Sequence, residues 1–260
     1  MSSLAAPISS PEYISTSTPD NLITFPKRPN RTYSHTHTQQ RVSPIRDPQI
    51  VSQIFHALRS TGTYGLRNSC IFALQLAIGR RTNDILSTRL QTVYNFSTNT
   101  VKPIITVDEH KTGKTARDLP INSQTRQILQ EYIETLPIKT PDALLFPSRK
   151  HNPDGSQRPL MTTSLNNIYK DITSAIYSAL DTSQTHISSY AARKTYGYNI
   201  YTECTKNHNG LLPGTDINAL QYVQSVFNHK DSMTTLRYIG AYDSPATQLA
   251  EDISSQYDFT

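Results

Sequence analysis

The sequence has little cysteine and no long apolar run, and each shortage argues against a class of protein. Cys70 and Cys204 are the two cysteines among 260 residues, and they form no CxxC pair. This argues against a disulfide framework or a zinc site and fits a reducing compartment. No apolar stretch approaches the ~20 residues that span a bilayer, and the N-terminus lacks the charged and then apolar pattern of a secretion signal. We expect a soluble protein inside the cell, with no membrane partner.

Acidic residues are moderately fewer than basic ones. The chain has 25 Lys and Arg against 20 Asp and Glu, which gives a formal charge of +5 and a sequence pI of about 9.1. Such an excess permits an anionic partner such as nucleic acid but does not require one. The length allows one or two domains with a sizeable core.

The first 46 residues differ in composition from the rest. Twenty of them are Ser, Thr or Pro, and such a segment cannot bury enough apolar surface to offset its chain entropy. The stretch FPKRPNRTYSHTHTQQR adds Lys27, Arg28, Arg31 and Arg41. We predict a flexible basic arm over residues 1–46, which is either a solvated tail or a segment that orders on DNA.

From residue 47 the hydrophobic pattern is mostly helical. Asp47-Pro48 is typical of a helix N-cap and first turn, and Gly79 is typical of the end of a second, buried helix, RNSCIFALQLAIG. A third helix is predicted to start near Thr82. Helical spacing returns later in SQTRQILQEYIETL, TSLNNIYKDITSAIYSAL, SSYAARKTYGYNIY and DINALQYVQSVF.

One part of the chain is rich in β-formers instead. TVYNF, KPIITVDE and RDLPI are separated by the turn stretches STNT and KTGKT, which predicts a small antiparallel sheet. The helix TSLNNIYKDITSAIYSAL is predicted to be capped by Thr163 or Ser164. The expected fold class is α+β, a mostly helical domain over residues 47–245 with a small antiparallel β-sheet, followed by a tail over residues 246–260.

Two polar stretches lie in the first half of this domain. IGRRTND places Arg80 and Arg81 where a buried helix meets the next one, and either a salt bridge to Asp84 or a phosphate contact would account for them. EHKTGKTARDLPI places Lys111 and Lys114 at the tip of a predicted hairpin. A lysine there is either solvated or available as a mobile cation and proton donor.

Two more polar stretches lie in the second half. SSYAARKTYGY sets Tyr190 and Arg193 on one helix face, separated by alanines. NHKDSMTTLRYIG begins as a turn and continues as a short helix, with His229 nine positions before Tyr238. Packing or solvation would explain each stretch alone, but not their order and spacing together.

Taken in order, the four stretches resemble the sequence boxes of the tyrosine recombinases, also called phage integrases, over roughly residues 47–242. GRRTNDIL is similar to the first box, with Arg81 at its arginine and Asp84 at its acidic residue. The hairpin lysine of the family matches Lys111 best, with Lys114 as the alternative. The implied fold is the family's catalytic domain.

The second box resembles YAARKT, in which Arg193 matches the arginine. Tyr190 stands where the family usually has histidine, and His186 has the wrong spacing to replace it. A phenol can hydrogen-bond a phosphate oxygen but is a poor general base at pH 7.

The third box resembles NHKDSMTTLRY, with Asn228 in place of glycine, His229 as the histidine and Tyr238 as the nucleophile. The resemblance implies that Tyr238 attacks phosphorus and stays joined to a DNA 3′ end. His229 would hydrogen-bond a phosphate oxygen or help to deprotonate the phenol. Further DNA contacts are predicted for Lys114, Arg117 and Lys194.

The other site residues have implied roles as well. Arg81 and Arg193 would offset the charge of the pentavalent transition state, and Lys111 would protonate the leaving 5′ oxygen. No cofactor and no metal are implied, because the arginines supply the positive charge and the sequence has no Walker-type loop.

The implied function is site-specific recombination of double-stranded DNA, for integration or excision of a mobile element. The rival interpretations are a type IB topoisomerase, which uses similar side chains, and a DNA-binding regulator that has lost catalysis. A recombinase of this kind would be encoded by a bacterium, a virus or a mobile element and would work in the cytoplasm or wherever the DNA is.

The two ends of the chain indicate which protein partners to expect. Leu249, Ile253 and Tyr257 form a thin apolar stripe in the tail, which either folds back on its own domain or docks on a neighbouring protomer of a DNA-bound homo-tetramer. Family members normally carry an N-terminal helical domain that clamps DNA, and residues 1–46 cannot form one. We therefore expect a minimal recombinase, or one that relies on its basic arm or on an accessory DNA-bending protein.

Overall fold

The computed structural model describes residues 42–110, 114–180, 184–206 and 217–241, without the side chains of residues 114–117 and 217. The helices of these ranges are α1 (Pro48–Arg59), α2 (Gly65–Ile78), α3 (Thr82–Leu86), α4 (Leu90–Val93), α5 (Ser123–Glu134), α6 (Thr162–Ser178), α7 (Ser189–Lys206), α8 (Ile217–Phe227) and α9 (Ser232–Ile239). The strands are β1 (Tyr94–Asn95), β2 (Thr100–Val101), β3 (Ile104–Glu109), β4 (Lys114–Pro120), β5 (Pro147–His151) and β6 (Gln157–Pro159). In the part of the chain so described, no helix is long and apolar enough to cross a membrane.

Local signals place several helix ends where they were predicted. Asp47 caps α1, since its carboxylate accepts a hydrogen bond from the Gln49 N–H at 2.7 Å. Gly79 ends α2 in the left-handed conformation, with φ of 58°. The predicted cap of α6 is wrong, because the helix begins at Thr162 after Met161. The Thr162 hydroxyl donates instead to the side chain of Asn83 on α3.

The strands pair as antiparallel hairpins. β1 pairs with β2 and β3 with β4, as the sequence predicts, although the two hairpins are separate two-stranded sheets. β5 and β6 form a further hairpin that the sequence pattern did not predict. Pro147 and Pro159, which pair with each other in it, are typical of turns rather than of strands.

The core is built on α2, as its apolar sequence predicts. Ile71, Phe72 and Leu74 are completely buried there and pack among side chains of α1, α5 and α6. A second apolar cluster lies between α7, α8 and α9 and contains Val223, Phe227 and Ile239. Tyr238, the predicted nucleophile, packs against this second cluster.

The final residues of the predicted arm lie against this domain. Ile45 is 3% exposed, and its N–H donates to the Thr195 hydroxyl of α7 at 2.7 Å. Residues 42–46 are therefore part of the packed structure rather than of a solvated tail. Residues 1–41 lie outside the described residues, and there the flexible arm stays a prediction.

Candidate active site

The turn after α2 is shaped by Gly79 and brings the first predicted site arginine into place. A Cβ on Gly79 would lie 2.0 Å from the Tyr196 ring of α7, so the glycine allows α7 to approach as well as allowing the positive φ. The chain then passes through Arg80 and Arg81 before α3 begins. The Gly79 carbonyl accepts a 2.5 Å hydrogen bond from the Arg193 guanidinium, which ties this turn to the second box.

The two arginines of the turn have different environments. Arg80 is 5% exposed, and its Nη1 lies 2.7 Å from Oε1 of Glu109. The Arg81 side chain is 25% exposed, with Nη1 at 3.5 Å from Glu109 Oε2 and 4.0 Å from Asp84 Oδ2. Arg80 is thus buried in an ion pair with Glu109, whereas the guanidinium side chain of Arg81 contacts two carboxylates and remains partly exposed to solvent. This difference supports the choice of Arg81 as the site arginine.

Sequence reasoning proposed Asp84 as the salt-bridge partner and missed Glu109. The signal was present in β3, where Ile105, Val107 and Glu109 alternate on the buried face. A carboxylate at a buried position of such a strand requires a cationic partner.

We expect Glu109→Ala to lower the free energy of unfolding by about 3 kcal/mol, because it removes the carboxylate from a buried ion pair and leaves Arg80 short of its charge partner. Urea denaturation measures the change. Glu131→Ala is the matched control, since Glu131 pairs with Arg59 at the surface and its loss should cost less than about 1 kcal/mol. Equal effects of the two substitutions would contradict the assignment of Arg80 and Glu109 as the structural pair.

Asp84 supports the site in another way. Its Oδ1 accepts a hydrogen bond from the His110 backbone N–H at 3.2 Å and lies 3.3 Å from His110 Nδ1. The same carboxylate faces Arg81 through Oδ2. Asp84 therefore connects the helix that follows Arg81 to the end of β3, immediately before the predicted lysine turn.

A buried polar network fixes the start of α7. The amide of Gln75, in α2, donates to the Ser189 carbonyl at 3.2 Å and accepts from the Tyr169 hydroxyl at 2.7 Å. All three residues are fully buried. Because α7 carries Tyr190 and Arg193, this network sets their distance from the turn at Gly79.

The second-box arginine contacts the predicted nucleophile directly. Arg193 is 4% exposed, and its Nε donates to Tyr238 Oη at 3.0 Å. Its guanidinium lies over the Phe227 ring, 4.5 Å from the centroid. Gly197 makes room for that ring, since a Cβ there would lie 2.3 Å from Phe227. Three helices thus meet around one guanidinium and one phenol.

The surroundings of the Tyr238 phenol favour its protonated form. Burial raises its pKa, while the positive charges of Arg193 and Arg81 act in the opposite direction and Tyr190 adds to the rise. A negative phenolate at this position would be stabilised by the guanidinium that donates to its oxygen.

His229 lies beside this phenol. Its ring is 5.1 Å from the Tyr238 ring, edge to face, and its Nδ1 is 3.0 Å from the Thr235 hydroxyl. Burial, together with Arg193 and Arg81, lowers the pKa of His229 to about 4. The imidazole is therefore neutral at pH 7, and a neutral imidazole bonded through one nitrogen can accept a proton at the other.

The backbone explains the substitution that precedes this histidine. Asn228 has φ of 55°, the left-handed conformation that glycine adopts most readily and asparagine tolerates best among the other residues. Asparagine in place of the box glycine thus preserves the turn. The contact of His229 with Thr235 was not singled out from the sequence, although Thr235 stands at the threonine of the third box.

Tyr190 and the predicted DNA-binding residues lie on α7 and β4, and of these Lys194 approaches the Tyr238 ring. Tyr190 is 49% exposed on the first turn of α7, so its side chain is accessible from outside the protein. Lys194 lies half-buried, and its ammonium donates to the Val42 carbonyl at 2.6 Å, an intramolecular partner that the sequence did not reveal. Lys114 and Arg117 lie on β4, where they pair with Glu109 and Val107.

Lys111 lies outside the described residues, so its assignment as the hairpin lysine stays a prediction. The structure brings Arg193, His229 and Tyr238 of the predicted site into contact. Arg81 follows the turn at Gly79 that Arg193 binds, and Tyr190 lies one helical turn before Arg193 on α7. Within the described ranges, no group of three His, Cys, Asp or Glu side chains is arranged to hold a metal ion.

Comparison with solved structures shows the same fold in DNA recombinases. The XerH site-specific recombinase, solved bound to a palindromic difH substrate after cleavage, is 17% identical with a TM-score of 0.52, and the match covers 82% of this chain and 53% of that one. The XerA recombinase is 15% identical with a TM-score of 0.53, covering 81% and 65%. The Tn1549 transposon integrase in complex with circular-intermediate DNA is 16% identical with a TM-score of 0.52, covering 81% and 66%.

The chain thus spans between about half and two thirds of the length of these recombinases. No curated protein matches its sequence. The family model described as "Phage integrase family" matches residues 46–244, which is most of the chain and contains every residue of the site described above. The chain belongs to the phage integrase family.

Proposed function

We propose that the protein is a site-specific DNA recombinase that cleaves and rejoins duplex DNA through a 3′-phosphotyrosyl intermediate. The observation that carries this proposal is the 3.0 Å hydrogen bond from Arg193 to the Tyr238 hydroxyl. The His229 ring lies 5.1 Å from the Tyr238 ring, and the same guanidinium donates to the Gly79 carbonyl in the turn before Arg81. A core tyrosine has no need of a buried guanidinium at its oxygen, whereas a tyrosine that attacks a phosphodiester benefits from one.

The first step forms one bond and breaks another. The Tyr238 oxygen attacks phosphorus, and the bond from phosphorus to the 5′ oxygen breaks, so that the phosphoester is conserved. The phenol loses its proton as it attacks, and His229 is proposed either to help remove it or to hydrogen-bond a non-bridging oxygen. Arg81 and Arg193 donate hydrogen bonds to the non-bridging oxygens, where negative charge increases in the transition state.

The leaving 5′ oxygen takes up a proton, and Lys111 is the residue proposed to supply it. Tyr190 is proposed to donate to a non-bridging oxygen, the part of a histidine's role that a phenol can perform at pH 7. Attack by the 5′ hydroxyl of a second strand reverses these steps and completes an exchange. Lys114 and Arg117 are proposed to contact the DNA backbone from β4.

A substrate with a nick beside the scissile phosphate tests the proposal, because loss of the short fragment prevents religation and traps the adduct. We expect the wild-type protein to form a denaturation-resistant complex with DNA that carries its recombination site. The same preparation, given a supercoiled plasmid without that site, should leave it supercoiled. Relaxation of any plasmid would favour the type IB topoisomerase, and DNA binding with no adduct would favour the inactive regulator.

The DNA complexes of XerH and the Tn1549 integrase support double-stranded DNA as the partner of this chain. We further propose a homo-tetramer on DNA, assembled through residues 246–260, and an accessory protein that bends the DNA. Such a recombinase would act wherever its host keeps DNA, which in a bacterium is the cytoplasm.

Deletion of residues 246–260 is expected to leave monomer binding to a half-site unchanged and to abolish the larger complex on paired sites. Electrophoretic mobility and the mass of the complex in solution measure both. If the shortened chain still assembled and recombined normally, docking of this tail on a neighbour would be wrong.

A further inference from the structure

Residues 42–46, named here the strap, connect the two helices that carry the reacting side chains. The Ile45 N–H donates to the Thr195 hydroxyl on α7 at 2.7 Å, and both residues are buried. Arg46 donates to the carbonyl of Gly240, the residue that ends α9, at 2.8 Å. Its guanidinium also lies over the Tyr198 ring of α7, 5.3 Å from the centroid. The strap thus bridges α7 and the end of the nucleophile's helix.

A third connection from the strap reaches the nucleophile itself. The ammonium of Lys194, on α7, donates to the strap carbonyl of Val42 at 2.6 Å. The same ammonium lies 5.3 Å from the centroid of the Tyr238 ring, within the distance at which a cation is attracted to an aromatic ring. One side chain therefore joins the strap to the ring that carries the reactive oxygen.

Two consecutive residues of α7 then act on different parts of Tyr238. Arg193 holds the oxygen through a hydrogen bond, and Lys194 holds the ring. The nucleophile belongs to a helix of eight residues, and a reacting atom must be held within a fraction of an ångström of its attack position. A contact that fixes the ring as well as the oxygen meets this requirement.

We propose that Lys194, anchored by the strap, is a positioning residue for Tyr238 rather than a contact to DNA. The proposal rests on the proposed function for the reaction that Tyr238 performs. A cation beside the ring also favours the phenolate over the phenol. Loss of the cation should therefore make the phenol harder to ionise, whether or not DNA is present.

Lys194→Met is the informative variant, since it keeps an unbranched side chain one atom shorter than lysine and removes the charge and the donor. Tyrosine labelled with carbon-13 at Cζ reports ionisation by NMR in the free protein, and Tyr238→Phe identifies the signal. We expect the Tyr238 phenol to titrate at a higher pH in Lys194→Met, by several tenths of a unit up to about one unit. Lys194→Arg, which keeps a cation, should titrate close to wild type.

Cleavage kinetics give the second measurement. In single turnover at saturating DNA, Lys194→Met should form the adduct about tenfold more slowly, which corresponds to a contact of cation–π strength. Its affinity for DNA should stay within about twofold of wild type. Lys206→Met is the matched control, because Lys206 is an exposed lysine of the same helix that pairs with Glu203, and it should change neither quantity.

The opposite pattern overturns the proposal. If Lys194 contacts a phosphate instead, its replacement would weaken the binding of the protein to DNA and reduce the slope of log affinity against log salt by about one. The rate at saturating DNA and the titration of the phenol would then be unchanged. If Lys194→Met does not fold, Arg46→Met provides a second variant, because it removes the contacts of the exposed Arg46 with Gly240 and Tyr198. It should also lower the rate of adduct formation. Absence of any wild-type adduct would refute the proposed function, while the phenol titration would still test the contact between Lys194 and Tyr238.

Discussion

Tyr238→Phe is expected to abolish covalent attachment to DNA, lowering adduct formation by at least about 10⁴-fold, because it removes the only atom that can form the phosphoester at that position. The ring remains, so its packing against Phe227 and His229 should be retained. Binding to the recombination site should therefore stay close to wild type. Adduct on denaturing gels and affinity by mobility shift measure the two quantities on the same preparation.

The control is another tyrosine of the same layer. Tyr222 lies on α8 and is 55% exposed, so Tyr222→Phe should form adduct at the wild-type rate. An adduct that persisted in Tyr238→Phe would move the nucleophile elsewhere, and Tyr190, close to the same site, would be the first residue to examine. Loss of adduct in both variants would indicate general damage rather than loss of a nucleophile.

Arg193→Lys is expected to lower the rate of adduct formation about 10³-fold at saturating DNA, since loss of one preorganised donor at a developing charge costs about 10²–10³-fold and this guanidinium also positions the nucleophile. It donates from Nε to Tyr238 Oη and from Nη1 to the Gly79 carbonyl. An ammonium is a single point charge and cannot reproduce this fork. Single-turnover kinetics with the nicked substrate measure the rate.

Arg59→Lys is the matched control, because Arg59 lies on α1 and pairs with Glu131 at the surface. It should react at the wild-type rate, and Arg193→Lys should still bind DNA, so that its loss of rate is not a loss of the fold. A rate for Arg193→Lys within tenfold of wild type would contradict the account in which two arginines hold the phosphate and the phenol.

Local sequence signals predicted those parts of the fold that depend on nearby residues. Asp47 before Pro48 fixed the start of α1, and Gly79 fixed the end of α2, because caps and left-handed residues depend on their own backbone. The hairpin over β3 and β4 followed from alternation and a glycine turn. The start of α6 was predicted wrongly, since the Thr162 hydroxyl donates a hydrogen bond to Asn83 on α3. No local sequence pattern contains this contact.

For the site as well, the sequence predicted the residues that lie close together along the chain and not the long-range contacts. Spacing within a box gave Arg193, His229 and Tyr238, because residues on one helix or one turn have a fixed geometry. Glu109 was missed because its partner lies 29 positions away, and the contact of Lys194 with Val42 spans 152 positions. Such contacts depend on the packing of whole elements, so they require the structure.

The residue that carries DNA after cleavage identifies the nucleophile without any substitution. The adduct formed on the nicked substrate is digested with nuclease and then with trypsin, which cuts after Arg237 and releases a peptide that begins at Tyr238 and also contains Tyr242 and Tyr257. Fragmentation in the mass spectrometer locates the remaining nucleotide. We expect a nucleotide 3′-phosphate on Tyr238 alone, and a nucleotide on Tyr190, on Tyr242 or on a serine would refute Tyr238 as the nucleophile.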